Sequence, residues 1–304
     1  MRTFKDDDQQ RAFERSGFVT ARLLSADDAA ALLKEIRGLR PADPGQEENR
    51  LRTGFYASFA DGDLARRRQV YRILRDALAA PLARILDNYR ITTGTLLEKP
   101  PKAGYFELHC DWTTSSSLLD VNVGCWCPLI DTDNVNGTLH VLPGSQKLMP
   151  HIAAPHAAFY GEHYRHVLRK KSLSFPLRAG EAVIYEGSMP HWSPINNSGA
   201  ERSAANLMCL PASAIPAFFK RSSPDDPQRF EIFDMRGDGF YAHSLADFNA
   251  GNLHAPSLGE VVVQNRIVPR LEFEARYAAA RARLRLAPGS QPGWARKPAF
   301  ATRG

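Results

Sequence analysis

Hydrophobic residues in the first third of the chain recur at helical spacing. Between residues 32 and 39, leucine and isoleucine occupy positions three and four apart, which is typical of a helix with one buried face. Ser25 stands before this run as a natural N-cap, and Asp27 and Asp28 suit the positive end of the helix dipole. The predicted helices cover 9–16, 25–39, 63–89 with a break near Pro81, and 271–286 near the end of the chain.

From about Thr92 the pattern changes to short runs rich in strand-forming residues. Turn residues separate these runs, with Asn136-Gly137 as a hairpin signal and Pro143-Gly144-Ser145 closing the next run. Many short strands with this spacing are typical of an antiparallel sandwich or barrel. The predicted strands cover 92–98, 105–112, 120–129, 138–142, 172–175, 182–185, 191–195 and 204–210.

No internal repeat or long linker divides the sequence, so we expect a single domain over 1–304. Helices over 1–91 would support a β core over 92–210, which an insertion at about 150–170 interrupts. The remainder, 211–304, is expected to form an extension that includes substrate-contacting or lid residues.

The composition of the 304 residues is that of an ordinary globular protein, with 43% hydrophobic and 24% charged residues. No run approaches the roughly 18 apolar residues that a membrane-spanning helix needs, and the charged start lacks the apolar stretch of a secretory signal. The four cysteines do not form a disulfide framework, and Cys125 and Cys127 share a strand face that favours core packing. We therefore expect a cytoplasmic protein without a membrane partner.

The net charge of +6, from 39 Lys+Arg against 33 Asp+Glu, raises the question of a nucleic-acid partner. Much of the excess lies between Arg266 and Arg303, among Ala, Leu and Pro. This distribution favours a solvated basic helix and tail. We therefore expect no nucleic-acid partner, and the oligomeric state is left open.

The tripeptide His109-Cys110-Asp111 places an imidazole and a carboxylate two residues apart in a predicted strand. Alternate side chains of a strand share a face, so His109 and Asp111 point the same way. They supply two of the three ligands of a 2-His-1-carboxylate facial triad, which leaves positions of Fe(II) open. Taken alone, the tripeptide favours a hydrogen-bonded structural pair, and the metal hypothesis needs a distal histidine.

A distal histidine follows the predicted strand 182–185. His191 is accompanied by Ser193, which lies on the same strand face. Arg202 leads into the apolar strand 204–210, and its planar guanidinium can bind a carboxylate through two hydrogen bonds. A co-substrate with a distant carboxylate would be anchored by Arg202 and Ser193 while its other end reaches the metal.

Longer stretches of sequence surround these candidate ligands in a characteristic order. They are Phe13-Glu14-Arg15-Ser16-Gly17-Phe18-Val19, Lys99-Pro100-Pro101, Cys125-Trp126-Cys127-Pro128-Leu129-Ile130-Asp131, Asn136-Gly137-Thr138-Leu139-His140-Val141-Leu142-Pro143-Gly144-Ser145 and Asn197-Ser198. Together with the candidate ligands, they resemble the phytanoyl-CoA dioxygenase-like family of Fe(II)- and 2-oxoglutarate-dependent oxygenases. The resemblance runs from about Phe13 to Leu210.

The resemblance implies a mainly β fold with helices. Its core would be a double-stranded β-helix (jelly roll, cupin-like), flanked by N-terminal and C-terminal α-helices. The resemblance also implies that His109, Asp111 and His191 are the Fe(II) ligands and the catalytic residues.

The same resemblance implies 2-oxoglutarate and O2 as co-substrates. Arg202 and Ser193 would bind the distal carboxylate of 2-oxoglutarate. Trp126 would lie near this co-substrate, and Thr95 matches a position whose residue contacts it.

The carboxylate ligand bears on the reaction. Related halogenases carry a small residue in place of the acidic ligand, whereas Asp111 is present here. The resemblance therefore favours hydroxylation of an aliphatic C–H bond, with release of succinate and CO2. Desaturation, demethylation and ring rearrangement with the same cofactors remain alternatives, and a non-catalytic jelly-roll binding protein is the alternative from another class.

The expected partner is a small-molecule substrate, with an intermediate of specialised metabolism as the working hypothesis. Members of the family act on acyl-CoA thioesters, free amino acids, and alkaloid, terpenoid or polyketide intermediates, which the sequence does not separate. Trp112 directly follows the candidate carboxylate ligand, Asn122 faces the predicted pocket, and Phe218 follows the last core strand. These three are candidate substrate contacts, with simple packing as the alternative for Trp112 and Phe218.

Overall fold

The described part of the chain comes from a computed structural model. It comprises residues 2–40, 54–146, 148, 152–223 and 225–285. The end of the predicted terminal helix at Leu286 and the basic tail beyond it lie outside these residues. Within the described ranges, no helix combines the length and the apolar character needed to cross a membrane.

Helices lie on both sides of the β core in the sequence, and one more helix lies in the insertion that interrupts the core. Ser25 caps its helix as predicted, because its side chain accepts a hydrogen bond from the Asp28 amide. The first helix begins before residue 9 because Asp6 accepts a hydrogen bond from the Gln9 amide. The helices are α1 (Asp7–Ser16), α2 (Ala26–Arg37), α3 (Leu64–Ile85), α4 (Arg165–Lys171), α5 (Gly239–Ala242), α6 (Leu245–Ala250) and α7 (Arg270–Arg285), with 3-10 turns at Ser58–Ala60 and Glu162–Tyr164.

The helix α3 differs from its prediction at Pro81 and at its end. Pro81 lies inside the helix without breaking it, although proline removes one backbone hydrogen bond. Leu78 and Leu82, on either side, are buried in the core, and this packing offsets the lost bond. The helix ends at Ile85, short of the prediction, because Asn88 turns the chain with a φ of 57° into the next strand.

Every predicted strand is present, with altered ends. The strands are β1 (Phe18–Arg22), β2 (Tyr56–Ala57), β3 (Tyr89–Lys99), β4 (Phe106–His109), β5 (Val123–Pro128), β6 (His140–Val141), β7 (Leu173–Ser174), β8 (Glu181–Glu186), β9 (His191–Ser193), β10 (Arg202–Pro211), β11 (Ala217–Ser223), β12 (Asp226–Asp234) and β13 (Ser257–Val262). A six-stranded antiparallel sheet has the order β1-β8-β5-β10-β3-β2, and a four-stranded sheet has the order β4-β9-β6-β7. These two sheets make up the predicted jelly-roll core, and the fold class is confirmed.

The strands β1 and β2 qualify the prediction of a helical segment over 1–91. β1 pairs with β8 in antiparallel register from Phe18 opposite Tyr185 to Arg22 opposite Glu181. β2 pairs with β3 at the opposite edge of the six-stranded sheet. The N-terminal segment therefore supplies both edges of the main sheet as well as helices that cover it.

The two faces of the six-stranded sheet have different neighbours. On one face, Cys125 and Cys127 pack in a core cluster with Leu78 of α3, as predicted from their alternation in the strand. All four cysteines are free and buried. On the opposite face, Trp126 and Tyr185 pack with Val141 of the four-stranded sheet. The second face is the one that looks toward the candidate site.

The extension after Pro211 folds back onto the jelly roll. Its strands β11, β12 and β13 form a third sheet, and α5 brings Tyr241 against β3. The Tyr241 hydroxyl donates to the carbonyl oxygen of Gly94 and accepts from the Gly94 amide, both at 2.7 Å. One side chain thus pairs with the backbone N–H and C=O of Gly94 at the edge of β3, where no strand of the described residues does so.

A buried cation holds the same extension to α3. Arg67 is fully buried and donates to the carbonyl oxygens of His243 at 2.6 Å and Phe240 at 2.9 Å. Its guanidinium lies 4.2 Å from the centre of the Phe59 ring, a cation–π contact. Burial lowers the pKa of Arg67 to about 10, so the guanidinium remains charged at neutral pH.

Arg67→Ala is expected to lower the free energy of unfolding by about 2–4 kcal/mol, because two buried carbonyl oxygens lose their donors. Urea unfolding followed by circular dichroism measures this change. The matched control is Arg75→Ala on the same helix, whose surface pair with Asp76 contributes about 0–1 kcal/mol. Equal losses in both variants would contradict the structural role of Arg67.

Candidate active site

Three predicted ligands meet where the four-stranded sheet ends. His109 closes β4, His191 opens β9, and the two residues are register partners. Asp111 lies just beyond β4, so the predicted strand over 105–112 is too long, and the Asp111 amide instead donates to the carbonyl oxygen of Gly187 at 3.1 Å. One potential ligand atom from each of the three residues lies within 4.8 Å of the other two. In the described residues, this is the one group of His, Cys, Asp and Glu side chains that could hold a metal ion.

Backbone carbonyl groups fix the orientation of both imidazole rings. Nδ1 of His109 lies 2.7 Å from the carbonyl oxygen of Glu107, and Nδ1 of His191 lies 3.0 Å from that of Met189. Each contact assigns the ring proton to Nδ1, because a carbonyl oxygen only accepts. The Nε2 atoms, one of which lies 3.6 Å from Oδ1 of Asp111, are thereby left as the ligand atoms.

Burial shifts the pKa of all three candidate ligands. It lowers the pKa of both His109 and His191 to about 4, so both imidazoles are neutral at pH 7. Burial also raises the pKa of Asp111, against the opposing effects of His109 and of a hydrogen bond from Tyr185. A bound divalent ion would reverse that rise by pairing with the carboxylate.

Tyr185 orients the candidate carboxylate ligand and was missed at the sequence level. Its hydroxyl donates to Oδ2 of Asp111 at 2.8 Å and lies 3.3 Å from Oδ1 of Asn206. The hydroxyl end of the ring packs against Gly124, where a Cβ atom would collide with it. The sequence predicts Tyr185 only as the end of the strand 182–185, because its link to Asp111 depends on the pairing of β5 with β8.

Tyr185→Phe is expected to weaken Fe(II) binding about 10–100-fold, because groups that orient a ligand have effects of this size. Anaerobic titration with Fe(II) measures the affinity. Tyr56→Phe is the matched control, since it removes a buried tyrosine–aspartate hydrogen bond to Asp61 away from the metal site. Unchanged iron affinity in Tyr185→Phe would show that Asp111 needs no such support.

A group of buried polar side chains lies around Arg202, and it includes Ser193 on the same strand as His191. Arg202 is 1% exposed, and its Nη2 donates to Oγ of Ser193 at 3.3 Å. Its Nε and Nη1 atoms are buried without a hydrogen-bond partner among the described residues. The guanidinium lies 5.6 Å from the centre of the Trp126 ring, so these three predicted residues are brought together.

Lys99 adds a second cation to this group, which sequence reasoning did not find. It is 1% exposed, and its Nζ lies within hydrogen-bond distance of three oxygen atoms, Oγ and the carbonyl oxygen of Ser193 and the carbonyl oxygen of Pro194. Burial, followed by repulsion from Arg202, lowers its pKa to about 5. The sequence identifies Lys99 only as part of a Lys-Pro-Pro motif, because its position opposite Arg202 depends on the pairing of β3 with β10.

No carboxylate among the described residues pairs with Arg202. Leaving its buried N–H donors without a partner is costly. His140 was not singled out as a site residue, and its buried Nε2 also has no partner among the described residues. Burial and then Lys99 lower the pKa of His140 to about 4. A carboxylate group fits this donor set.

The structure places the remaining predicted site residues in three different surroundings. Thr95 and Trp112 line a cavity of about 460 Å³ that also touches His109 and Asp111. Asn122 lines a separate cavity of about 340 Å³ that also touches Asp111. Phe218 is buried and lies behind Trp112, with ring centres 5.5 Å apart.

Comparisons with known proteins identify a matching family. The sequence profile described as Phytanoyl-CoA dioxygenase (PhyH) matches residues 13–204. Among solved structures, the chain is similar to EctD from S. alaskensis with 2-oxoglutarate and 5-hydroxyectoine (22% identity, 69% of this chain and 78% of that chain, TM-score 0.51). It is also similar to HygX from Streptomyces hygroscopicus with nickel, 2-oxoglutarate and hygromycin B (14% identity, 68% of this chain and 88% of that chain, TM-score 0.47). A third similar structure is EvdO2 from Micromonospora carbonacea var. aurantiaca with 2-oxoglutarate (20% identity, 72% of this chain and 95% of that chain, TM-score 0.46). No curated protein gives a significant match, and the likeness to EctD supports the fold.

Proposed function

Because the chain belongs to the phytanoyl-CoA dioxygenase family, whose members are Fe(II)- and 2-oxoglutarate-dependent oxygenases, we propose that it hydroxylates an aliphatic C–H bond of a small organic molecule. Succinate and CO2 are the accompanying products. The observation that carries the proposal is the convergence of His109, Asp111 and His191, with ligand atoms within 4.8 Å of one another. The presence of a carboxylate ligand favours hydroxylation over halogenation, as expected from the sequence.

The residues of the site fit a ferrous ion. Two neutral imidazoles and one carboxylate are the ligand set that leaves open positions on non-haem Fe(II). A ferrous ion held there together with 2-oxoglutarate and O2 would supply the oxidising power that an unactivated C–H bond requires. Tyr185 would hold the Asp111 carboxylate in place for the metal through its hydrogen bond.

The group of polar side chains around Arg202 would bind the distal carboxylate of 2-oxoglutarate. Its unpaired Nε and Nη1 atoms are donors for one carboxylate, and Ser193 and Lys99 lie beside them. An anion next to Lys99 raises the pKa of its amine above the low value set by burial. Lys99 would therefore take up a proton when 2-oxoglutarate binds and give this group a second positive charge.

The apolar cavity would exclude water and orient the substrate. Trp112 and Phe106 form parts of its wall next to His109, so a bound molecule would present a C–H bond to the metal site in dry surroundings. The extension after residue 211 contributes Phe240 and Leu245 to this wall, which supports the predicted lid.

Uncoupled turnover tests the proposal. The purified protein with Fe(II), ascorbate, 2-oxoglutarate and O2 is expected to release succinate slowly without a substrate. EDTA should abolish this activity, and excess Fe(II) should restore it, because the metal is bound by exchangeable ligands. A protein that binds Fe(II) and 2-oxoglutarate but forms no succinate, with or without candidate substrates, would instead be a non-catalytic jelly-roll binding protein.

A further inference from the structure

The cavity beside the candidate metal site has mainly aromatic and small apolar walls. Its volume of about 460 Å³ lies within the range of roughly 300–1,000 Å³ that small-molecule sites occupy. Four parts of the chain bring rings to it: the segment around β2, β4 with the segment after it, the insertion, and the C-terminal extension. The aromatic wall residues are Phe55, Phe59, Phe106, Trp112, Phe159 and Phe240.

The charges on the cavity wall are already paired. Apart from Asp111 of the candidate metal site, the charged residues among the described lining are Glu162 and Arg165. Their side chains form two hydrogen bonds, Nε to Oε1 at 3.1 Å and Nη2 to Oε2 at 2.8 Å. The third nitrogen of Arg165 donates to the carbonyl oxygen of Leu108. A charged substrate would therefore have to lose its hydration without gaining a free partner, which is costly.

Two neutral polar groups remain available on the wall. Oδ1 of Asn206 lies 3.3 Å from the Tyr185 hydroxyl, and its Nδ2 has no hydrogen-bond partner among the described residues. The hydroxyl of Thr93 likewise makes no hydrogen bond within that part of the chain. Thr93 and Asn206 lie on the neighbouring strands β3 and β10, where Asn206 is opposite Thr95, two residues from Thr93, so both project from the same face. They can donate to an oxygen atom of a bound molecule.

We infer that the substrate is a neutral, ring-containing and largely apolar molecule with a ketone or hydroxyl oxygen that Asn206 and Thr93 bind. The inference rests on the proposed function and specifies its substrate class. It disfavours free amino acids, which need partners for two charges, and acyl-CoA thioesters, because the described lining offers their phosphates no unpaired cation. Aromatic walls favour flat or ring-shaped molecules because ring faces pack over large areas.

Prodan, a neutral naphthyl ketone whose emission shifts to shorter wavelength in apolar surroundings, is a suitable probe. The anaerobic protein loaded with Fe(II) and 2-oxoglutarate is expected to bind it with a blue shift. Acetonaphthone, a neutral ketone, should displace prodan at a concentration at least about tenfold lower than naphthoate, its charged counterpart. Tryptophan as the free amino acid and octanoyl-CoA should not displace it.

Two variants locate the probe. Ala157 lines the cavity and Ala158 does not, so Ala157→Trp should reduce prodan affinity at least about tenfold, whereas Ala158→Trp, at an exposed position, should not. Asn206→Asp keeps the acceptor for Tyr185 but replaces the free donor with an acceptor, and it should weaken prodan about tenfold. Circular dichroism checks that each variant is folded.

The outcomes separate this inference from the proposed function. Displacement by naphthoate, free tryptophan or octanoyl-CoA at concentrations equal to or below that of acetonaphthone overturns the inferred substrate class. Unchanged prodan affinity in both Ala157→Trp and Asn206→Asp also overturns it. In either case, succinate formation without substrate would leave the proposed oxygenase function intact, whereas its absence both with and without candidate substrates would contradict that function independently.

Discussion

Asp111→Ala is expected to abolish succinate formation and to weaken Fe(II) binding about 100- to 4,000-fold, because breaking a buried charge pair costs about 3–5 kcal/mol. The two remaining candidate ligands are neutral imidazoles, and burial keeps them so by lowering the pKa of His109 and His191 to about 4. A divalent ion would then lie in a buried site without a compensating negative charge. The Tyr185 hydroxyl would also lose its closer acceptor.

Anaerobic Fe(II) titration and a succinate assay measure the two effects. Chloride-free buffer is needed, because alanine leaves room for an anion at the position of the carboxylate. The control is Asp76→Ala, which removes an exposed carboxylate on α3 that pairs with Arg75 and should change neither quantity. Iron affinity and succinate formation close to wild type in Asp111→Ala would contradict the proposed ligand set.

Arg202→Met is expected to change stability and co-substrate binding in opposite directions. Without 2-oxoglutarate, it should raise the free energy of unfolding by about 1–3 kcal/mol, because an apolar side chain replaces a buried charge that has no carboxylate partner. Burial lowers the pKa of Arg202 from 12.5 to about 9. The buried guanidinium therefore destabilises the fold fully below pH 9 and progressively less as the pH rises toward 12.5.

The same substitution should weaken 2-oxoglutarate binding at least about 100-fold, since a buried charge-assisted pair is lost. Thermal unfolding with and without 2-oxoglutarate measures both effects. Wild type should gain stability with the ligand, as any ligand of the native state requires, and Arg202→Met should gain none at the same concentration. A variant that is less stable without ligand yet still stabilised by 2-oxoglutarate would place the carboxylate elsewhere.

Local patterns were sufficient to predict much of the fold. The Ser25 cap and the spacing over 32–39 depend on neighbours within a few residues, and α2 was predicted nearly to its ends. The alternation around Trp126 also depends on a single strand, and it correctly separated the core face from the site face. Strand ends were less accurate, because β6 and β7 end where their hydrogen-bond partners do.

The candidate site was predictable only where its residues are close in sequence or follow the family pattern. His109, Asp111 and Ser193 fall in this class. Tyr185 and Lys99 do not, because their roles depend on contacts across strands that are distant in sequence: Tyr185 reaches Asp111 over Gly124, and Lys99 lies opposite Arg202. Neither contact leaves a mark in the local hydrophobic pattern.

The outer cavity wall that carries Phe240 and Leu245 is attached through Arg67 and Tyr241, rather than through the strand pairing that sets the positions of His109 and His191. Insertions and deletions in this wall would leave that pairing in register. During evolution, the sequence of this wall can therefore change as a unit without displacing the candidate metal ligands. Descendants of this protein could change the molecule that they oxidise while inheriting the same iron chemistry.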